Sequence, residues 1–324
     1  MNFILFNTAC LYDPIKNETT IYGQNNTPFH SVIIENYSSA INLVFCSNRP
    51  DFFIRLQGKI TNISNIIFLY DNVPVTNIHD VVLYFPFENA HSELNLNPSS
   101  AIISTFCKNY SHRLDEWIQY NLKLGFSAII IFNNDSNTTN KINESLQNAV
   151  QLYSVEQICN KYKGKVLCIN FPYSTIHHHY DNIQRTALHI GVNVFKNITR
   201  NIALIDADEF IYLPNKNITN ITNIQDFLQN YNTIITIQSN TLTNKNNNDI
   251  INNNILQIAK YIGNNNYTKL VLYNNNIKDD EFIVTPHEHD EQQILDKNII
   301  IYYHCWVNDR CQYNESMQLF DINE

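Results

Sequence analysis

Three acids stand close together in the run Asn201-Ile202-Ala203-Leu204-Ile205-Asp206-Ala207-Asp208-Glu209-Phe210-Ile211. Apolar residues lead into them and resume after them. An unpaired carboxylate is costly to bury, so these acids belong at the carboxyl end of a buried strand. Ligands of open α/β sheets bind at that edge. Asp206 and Asp208 are separated by one residue and share a side if the chain is extended there. Like charges held side by side call for a cation or a shared proton. Hard oxygen ligands that leave positions open suit Mg2+ or Mn2+ carrying phosphates. The chemistry suggested is a divalent ion on a nucleotide diphosphate; the plain alternative is a solvated acidic turn.

A second group comes late, in Pro286-His287-Glu288-His289-Asp290-Glu291. Alternation puts His287 and His289 on one side of an extended segment, where they are candidate metal ligands; an exposed polar turn is the alternative. His304, between Tyr303 and Cys305, could serve instead, but a lone histidine beside aromatics reads first as a satisfied core residue. A base that deprotonates an acceptor hydroxyl must lie within hydrogen-bond reach of it. Asp290 and Glu288 lead for that role by their place after the acidic block. The run His177-His178-His179 reads as a loop, since three neighbours cannot all face one metal.

The elements that must position these groups follow from the apolar rhythm. The chain has 324 residues and is 44% hydrophobic, enough for a large core and two domains. Its net charge of -9 argues against a nucleic-acid-coating protein. With 6 glycines and no G-x-G-x-x-G or Walker-type run, a Gly-rich phosphate loop is not expected, so phosphates would need a local metal. Seven cysteines without a C-x-x-C pair read as reduced, mostly buried thiols. The first residues lack a signal peptide's basic region, and no apolar run reaches bilayer-spanning length. The expectation is a soluble, cytoplasmic protein with no transmembrane segment, peripheral membrane association being left open.

Residues 1–98 read as a β-rich accessory module, with short strands at Ile41 to Cys46, Asp51 to Leu56, Ile66 to Tyr70 and Val81 to Phe85, and a linker from Glu88 to Ser100. From residue 99 strands alternate with helices, which implies parallel pairing. Strands are expected at Ala101 to Phe106, Ser127 to Phe132, Val166 to Asn170 and Asn201 to Ile205. Helices are expected at Ser111 to Leu124, Asn143 to Tyr153 and Tyr180 to Phe195. Further on come a short helix at Ile224 to Leu228, a strand at Thr233 to Gln238, an Asn-rich surface loop at Asn244 to Asn254, and strands at Lys269 to Tyr273, Glu281 to Val284 and Ile299 to Tyr303.

Several pieces then line up in order: Phe106-Cys107-Lys108-Asn109, Glu116-Trp117 with Gly125-Phe126, Asn133-Asn134-Asp135-Ser136, Gln184-Arg185, and Asp206-Ala207-Asp208-Glu209-Phe210. Over about residues 101 to 305 this order resembles glycosyltransferase family 92 and related family-2-like enzymes, once called domain of unknown function 23. The resemblance implies an α/β fold of the GT-A (Rossmann-like) type: a mixed sheet flanked by helices over residues 99–324. It implies a metal-dependent transfer of a hexosyl or deoxyhexosyl group from a nucleotide sugar, most plausibly a UDP-sugar, to a hydroxyl of a glycan or glycoconjugate acceptor. By position, Thr105, Phe106, Asn133 and Asn134 would face the nucleotide. Gln184 and Arg185 would lie near the diphosphate or donor sugar, and Lys269 would touch phosphate. Asp206 and Asp208 would hold Mn2+ or Mg2+, completed by His287 or His289, and Glu209 would take part in catalysis by orienting the sugar. The chain departs from the family pattern at Tyr110, Asn121 and Asn133. Two other readings stand beside this one. One is a haloacid-dehalogenase-type phosphatase, with Asp206 as nucleophile and Ser239 closing the next strand. The other is an inactive sugar-nucleotide-binding relative.

Overall fold

The computed structural model describes residues 5–13, 16–25, 31–34, 37, 39, 41–45, 51–60, 66–70, 72–74, 78–85, 93–108, 111–134, 154–171, 180–214, 223–243, 261–279, 281, 283, 285–305 and 318–319. The expected helix at Asn143 to Tyr153, the Asn-rich loop at Asn244 to Asn254 and the run His177 to His179 lie outside them.

The first part of the chain is built from strands β1 (Leu5–Asp13), β2 (Glu18–Asn25), β3 (Ser31–Ile34), β4 (Ile41–Phe45), β5 (Asp51–Gln57), β6 (Ile66–Tyr70), β7 (Val73–Pro74) and β8 (Ile78–Phe85). They form one sheet in the order β4-β5-β2-β1-β8 and a small one in the order β3-β6-β7. Pairing is antiparallel except between β1 and β8. The strand at β1 was not anticipated because an irregularity between Phe6 and Thr8 shifts its register and breaks the period of two.

The second part runs β9 (Ala101–Cys107), α1 (Ser111–Leu124), β10 (Ala128–Asn133), α2 (Val155–Asn160), β11 (Val166–Asn170), α3 (Tyr180–Phe195), β12 (Asn201–Leu204), β13 (Glu209–Tyr212), α4 (Ile224–Leu228), β14 (Ile234–Thr243), β15 (Tyr261–Tyr273), β16 (Gln292–Ile294), β17 (Ile301–Cys305) and β18 (Gln318–Leu319). The large sheet follows the path β11-β10-β9-β12-β15-β14-β17-β13. The alternation of strands and helices implies parallel pairing, and this holds from β11 to β12. Beyond β12 the sheet turns mixed: β15 runs antiparallel to β12 and to β14, β17 runs parallel to β14, and β13 closes the path antiparallel to β17. The molecule is therefore mixed α/β, with a large mixed sheet and a smaller, mainly antiparallel one.

Every residue of β9, β10 and β12 is buried, as the continuous apolar runs require of strands covered on both faces. Along β10, Ile129 and Ile131 join a core with Trp117 and Ile118 of α1, while Ile130 and Phe132 join a core with Ile183 and Leu188 of α3. Packing of α3 on β9 is close at Gly191, where a Cβ would meet Ser104 Oγ at 2.3 Å. Two expected elements differ. Glu281 and Ile283 are not in a strand. The segment from Glu88 is no simple linker, because Leu94 is buried in the α3-side core.

Candidate functional site

The acids sit where the buried strand ends. Ile205 is still buried, and the chain then turns at 206–208 before entering β13. Glu209 closes that turn from both sides: its N–H donates to Asp206 O at 3.1 Å, and its Oε2 accepts from Asp206 N at 2.8 Å. Alternation along an extended chain does not apply to this turn, so the expectation that Asp206 and Asp208 face one side is replaced by two separate sets of partners.

Asp206 is gripped by two donors. Gln184 Nε2 of α3 donates to Oδ1 at 2.6 Å, and Lys269 Nζ of β15 donates to Oδ2 at 2.6 Å. The same ammonium lies 3.3 Å from Glu209 Oε2. Lys269 and Glu209 are each only 2% exposed in their side chains, while Asp206 keeps 33%. Burial works to strip the proton from Lys269, but Asp206 and Glu209 outweigh it and hold the ammonium above its ordinary pKa. Burial works against the charge on Asp206 too, and there Lys269 prevails, keeping the carboxyl below the usual range. For Glu209 burial wins over Lys269, and Asp206 adds repulsion, so its pKa is pushed up to about 7.

Asp208 meets His304 of β17, whose Nε2 lies 3.4 Å from Oδ2. Burial opposes the charge on His304, yet Asp208 raises its pKa above the ordinary histidine value. The pairing of β13 with β17 sets Glu209 opposite His304 and so brings the imidazole to the acidic turn. The other edge of β13 is held by α1: Trp117 Nε1 donates to Glu209 O at 2.8 Å, and Tyr120 Oη donates to Ile211 O at 2.6 Å. The Glu-Trp and D-x-D-E-F motifs are thus physically joined.

Of the late histidines, His287 donates from Nδ1 to Thr268 O at 2.6 Å, which leaves Nε2 as the acceptor nitrogen. Thr268 precedes Lys269, and burial and the Lys269 charge hold the His287 pKa below its ordinary value. His289 does not fit its expected role as a ligand. Its Nε2 lies 2.7 Å from Glu281 Oε1 and its Nδ1 accepts from Glu291 N at 3.0 Å, so both ring nitrogens are committed. Glu288 and Asp290 are exposed around it. The structure brings together Asp206, Asp208, Glu209, Gln184 and Lys269, and adds His304, which its aromatic neighbours made look like core.

The four residues expected to face the nucleotide are buried. Thr105 is fully buried, and Phe106 is core, edge-on to Phe171 at 6.3 Å. Asn133 and Asn134 are buried at the end of β10, where Asn134 Nδ2 donates to Phe171 O at 2.7 Å and ties the strand to the loop after β11. Arg185 is buried on α3.

Among the described residues no group of three or more His, Cys, Asp or Glu side chains converges as a metal site. Asp208 and His304 offer a carboxylate and an imidazole side by side, both partly exposed. Two protein ligands suit an ion whose remaining positions are filled by phosphate and water, not a closed structural site. No family model matches the chain, and no curated protein matches it. No helix among the described residues is long and apolar enough to cross a membrane.

Proposed function

We propose that the chain is a metal-dependent glycosyltransferase of GT-A type that moves a sugar from a nucleotide-sugar donor, a UDP-sugar by preference, to a hydroxyl of a glycan acceptor. The observation that carries this reading is the acidic turn after β12, in which Asp208 meets His304 while Lys269 and Gln184 hold Asp206. A parallel run that ends at the acid-bearing strand, followed by antiparallel β15, accords with a mixed GT-A sheet. Asp208 and His304 would hold the divalent ion, which when bound would neutralise the diphosphate as it leaves. Lys269 keeps Asp206 ionised and fixed beside them. Glu209 braces the turn through the Asp206 N–H.

The phosphatase reading loses its second motif. Ser239 is buried inside β14 and does not close a strand, and antiparallel β15 separates β14 from β12. The test is thermal-shift titration of UDP with and without Mn2+. UDP should raise the Tm only when Mn2+ is present, and Asp208→Asn should abolish that rise along with turnover of UDP-sugars. No shift at millimolar UDP with Mn2+, or full turnover in Asp208→Asn, would overturn the assignment.

A further inference from the structure

A cavity of about 380 Å3 opens beside the residues that lead into β12, at the end of that strand away from the acidic turn. Its lining includes Lys196, Asn197, Thr199, Arg200, Tyr273 and Asn275. Lys196 and Arg200 are the charged residues in the lining, and no acid joins them there, in a chain whose net charge is -9. Sheet pairing fixes the two main members. Arg200 N donates to Ser100 O at 2.8 Å, Asn274 N donates to Arg200 O at 3.0 Å, and Asn201 stands opposite Tyr273. The floor is tied as well: Asn274 is buried, and its Nδ2 donates to Thr199 O at 2.6 Å and to Thr199 Oγ1 at 2.9 Å.

The two cations differ in what they have left to offer. Lys196 is committed: its Nζ lies 2.9 Å from Asp279 Oδ1 and donates to Lys278 O at 3.1 Å. Arg200 is half-buried, with its guanidinium 5.1 Å over the Tyr273 ring. Its Nη2 donates to Asn232 Oδ1 at 2.7 Å and to Gln229 O at 3.4 Å, and neither acceptor is charged. Among the described residues no acid pairs with Arg200, and its Nε is buried without an acceptor. A guanidinium stacked on an aromatic ring and short of acceptors suits a carboxylate or a phosphate. The groups around it are neutral and polar. Asn275 Nδ2 donates to Tyr273 Oη at 3.0 Å, so the phenol proton stays available, and the amides of Asn197 and Asn275 are exposed. Amides and a phenol both donate and accept, which matches hydroxyl groups.

We propose that this cavity is a binding site for an anionic sugar, in which Arg200 receives the phosphate or carboxylate and Tyr273, Asn197 and Asn275 receive hydroxyls. Its volume falls within the range of about 300–1,000 Å3 that small-molecule sites occupy. The site lies at the other end of β12 from Asp206 and does not rest on the glycosyltransferase reading.

Isothermal titration calorimetry on the full chain, in EDTA to remove divalent ions, tests this with glucose-6-phosphate, glucuronate, glucose and inorganic phosphate. At least one of the two anionic sugars should bind at millimolar concentration or below, about tenfold or more tighter than glucose and than inorganic phosphate, since each of those lacks one half of the recognised group. Preference for glucose-6-phosphate assigns the Arg200 partner as phosphate, and preference for glucuronate assigns it as carboxylate. Arg200→Gln, which keeps a donor but no charge, should weaken that binding by about tenfold or more. Asn275→Asp sets a negative charge on the exposed rim without touching the floor and should weaken it likewise, which guards against a folding defect in the arginine variant. Asp208→Asn should bind as the native chain does. Absence of binding by both anionic sugars, equal binding of glucose or of inorganic phosphate, native affinity in Arg200→Gln and Asn275→Asp, or binding lost in Asp208→Asn would each overturn the proposal.

Discussion

Lys269 decides the state of the acidic turn at the level of single residues. Its ammonium lies against Asp206 and Glu209 together, in a place where neither Lys269 nor Glu209 meets bulk water. Replacing it with methionine keeps the length of the side chain and removes the charge, leaving buried Glu209 without its cation. Loss of one partner from a buried pair costs about 3–5 kcal/mol, and urea denaturation of Lys269→Met should show a loss of that size. A loss below about 1 kcal/mol would mean that the pair behaves like a solvated surface bridge. The acids themselves are legible in the sequence, because charges between two apolar runs have to lie where a strand leaves the core. Lys269 is not legible in the same way. It opens an apolar run and reads equally well as a solvated strand end. Only the antiparallel register that sets Leu270 opposite Leu204 places it beside Asp206. His304 was hidden for the same reason, since its partner across the sheet is Glu209, far away in sequence.

The elements supply the rigidity that the turn lacks. β13 has four residues and pairs with β17, and its other edge leans on α1 through Trp117 and Tyr120. Trp117→Phe should leave the Glu209 carbonyl buried and unsatisfied, at a cost of about 1–3 kcal/mol. Tyr120→Phe should act in the same direction through Ile211. A double-mutant cycle on stability should show coupling between the two, since both hold one short strand; strict additivity would argue that β13 is held elsewhere. The face of α1 that buries Trp117 follows from helical spacing, whereas the carbonyls that it reaches lie outside any local pattern. The same limit applies to β15. Its first half is rich in asparagine and looks like loop, yet Tyr261 to Asn264 pair with Asn240 to Thr243 of β14, and pairing overrides propensity. Close packing of α3 yields a sharper test. Alanine favours a helix over glycine by about 1 kcal/mol, but at position 191 the new Cβ falls 2.3 Å from Ser104 Oγ on rigid β9. Gly191→Ala should therefore destabilise by about 1–3 kcal/mol, as overpacking does. Adding Ser104→Ala should recover part of that loss, and thermal melts of the single and double variants would show whether it does.

Over the whole molecule, α3 is the member that links the strand-rich first part to the acidic turn. Near its start Gln184 reaches Asp206, and further along His189 is buried against the first sheet, stacked on Phe53 at 5.6 Å and edge-on to Tyr22 at 5.3 Å. Leu11, Tyr22 and Phe53 share one continuous core with α3 and the large sheet, and Asp279 ties Lys196 of the second part, at 2.9 Å, to Lys16 of the first, at 3.7 Å. The sequence division at residue 98 marks a change of rhythm, while this shared core makes the first part a support for the site-bearing helix. His189 reports on that joint. Ile283 N–H donates to its Nδ1 at 3.3 Å, and Asn193 Nδ2 lies 3.0 Å from its Nε2. Burial, with the charges of Lys196 and Arg55 behind it, lowers its pKa from 6.5 to about 3. The unfolded chain takes up this proton as the pH falls below 6.5, and the folded chain does not until about 3. Stability from this group is thus complete above 6.5 and is lost progressively on acidification, by about 2 kcal/mol at pH 5. His189→Gln retains an acceptor for Ile283 N–H and cannot titrate. Its stability, measured by urea denaturation from pH 7 to pH 5, should fall less than that of the native chain by about this amount. Parallel curves for the two proteins would show that His189 is protonated, or solvated, in the folded state, and that the joint is looser than its packing indicates.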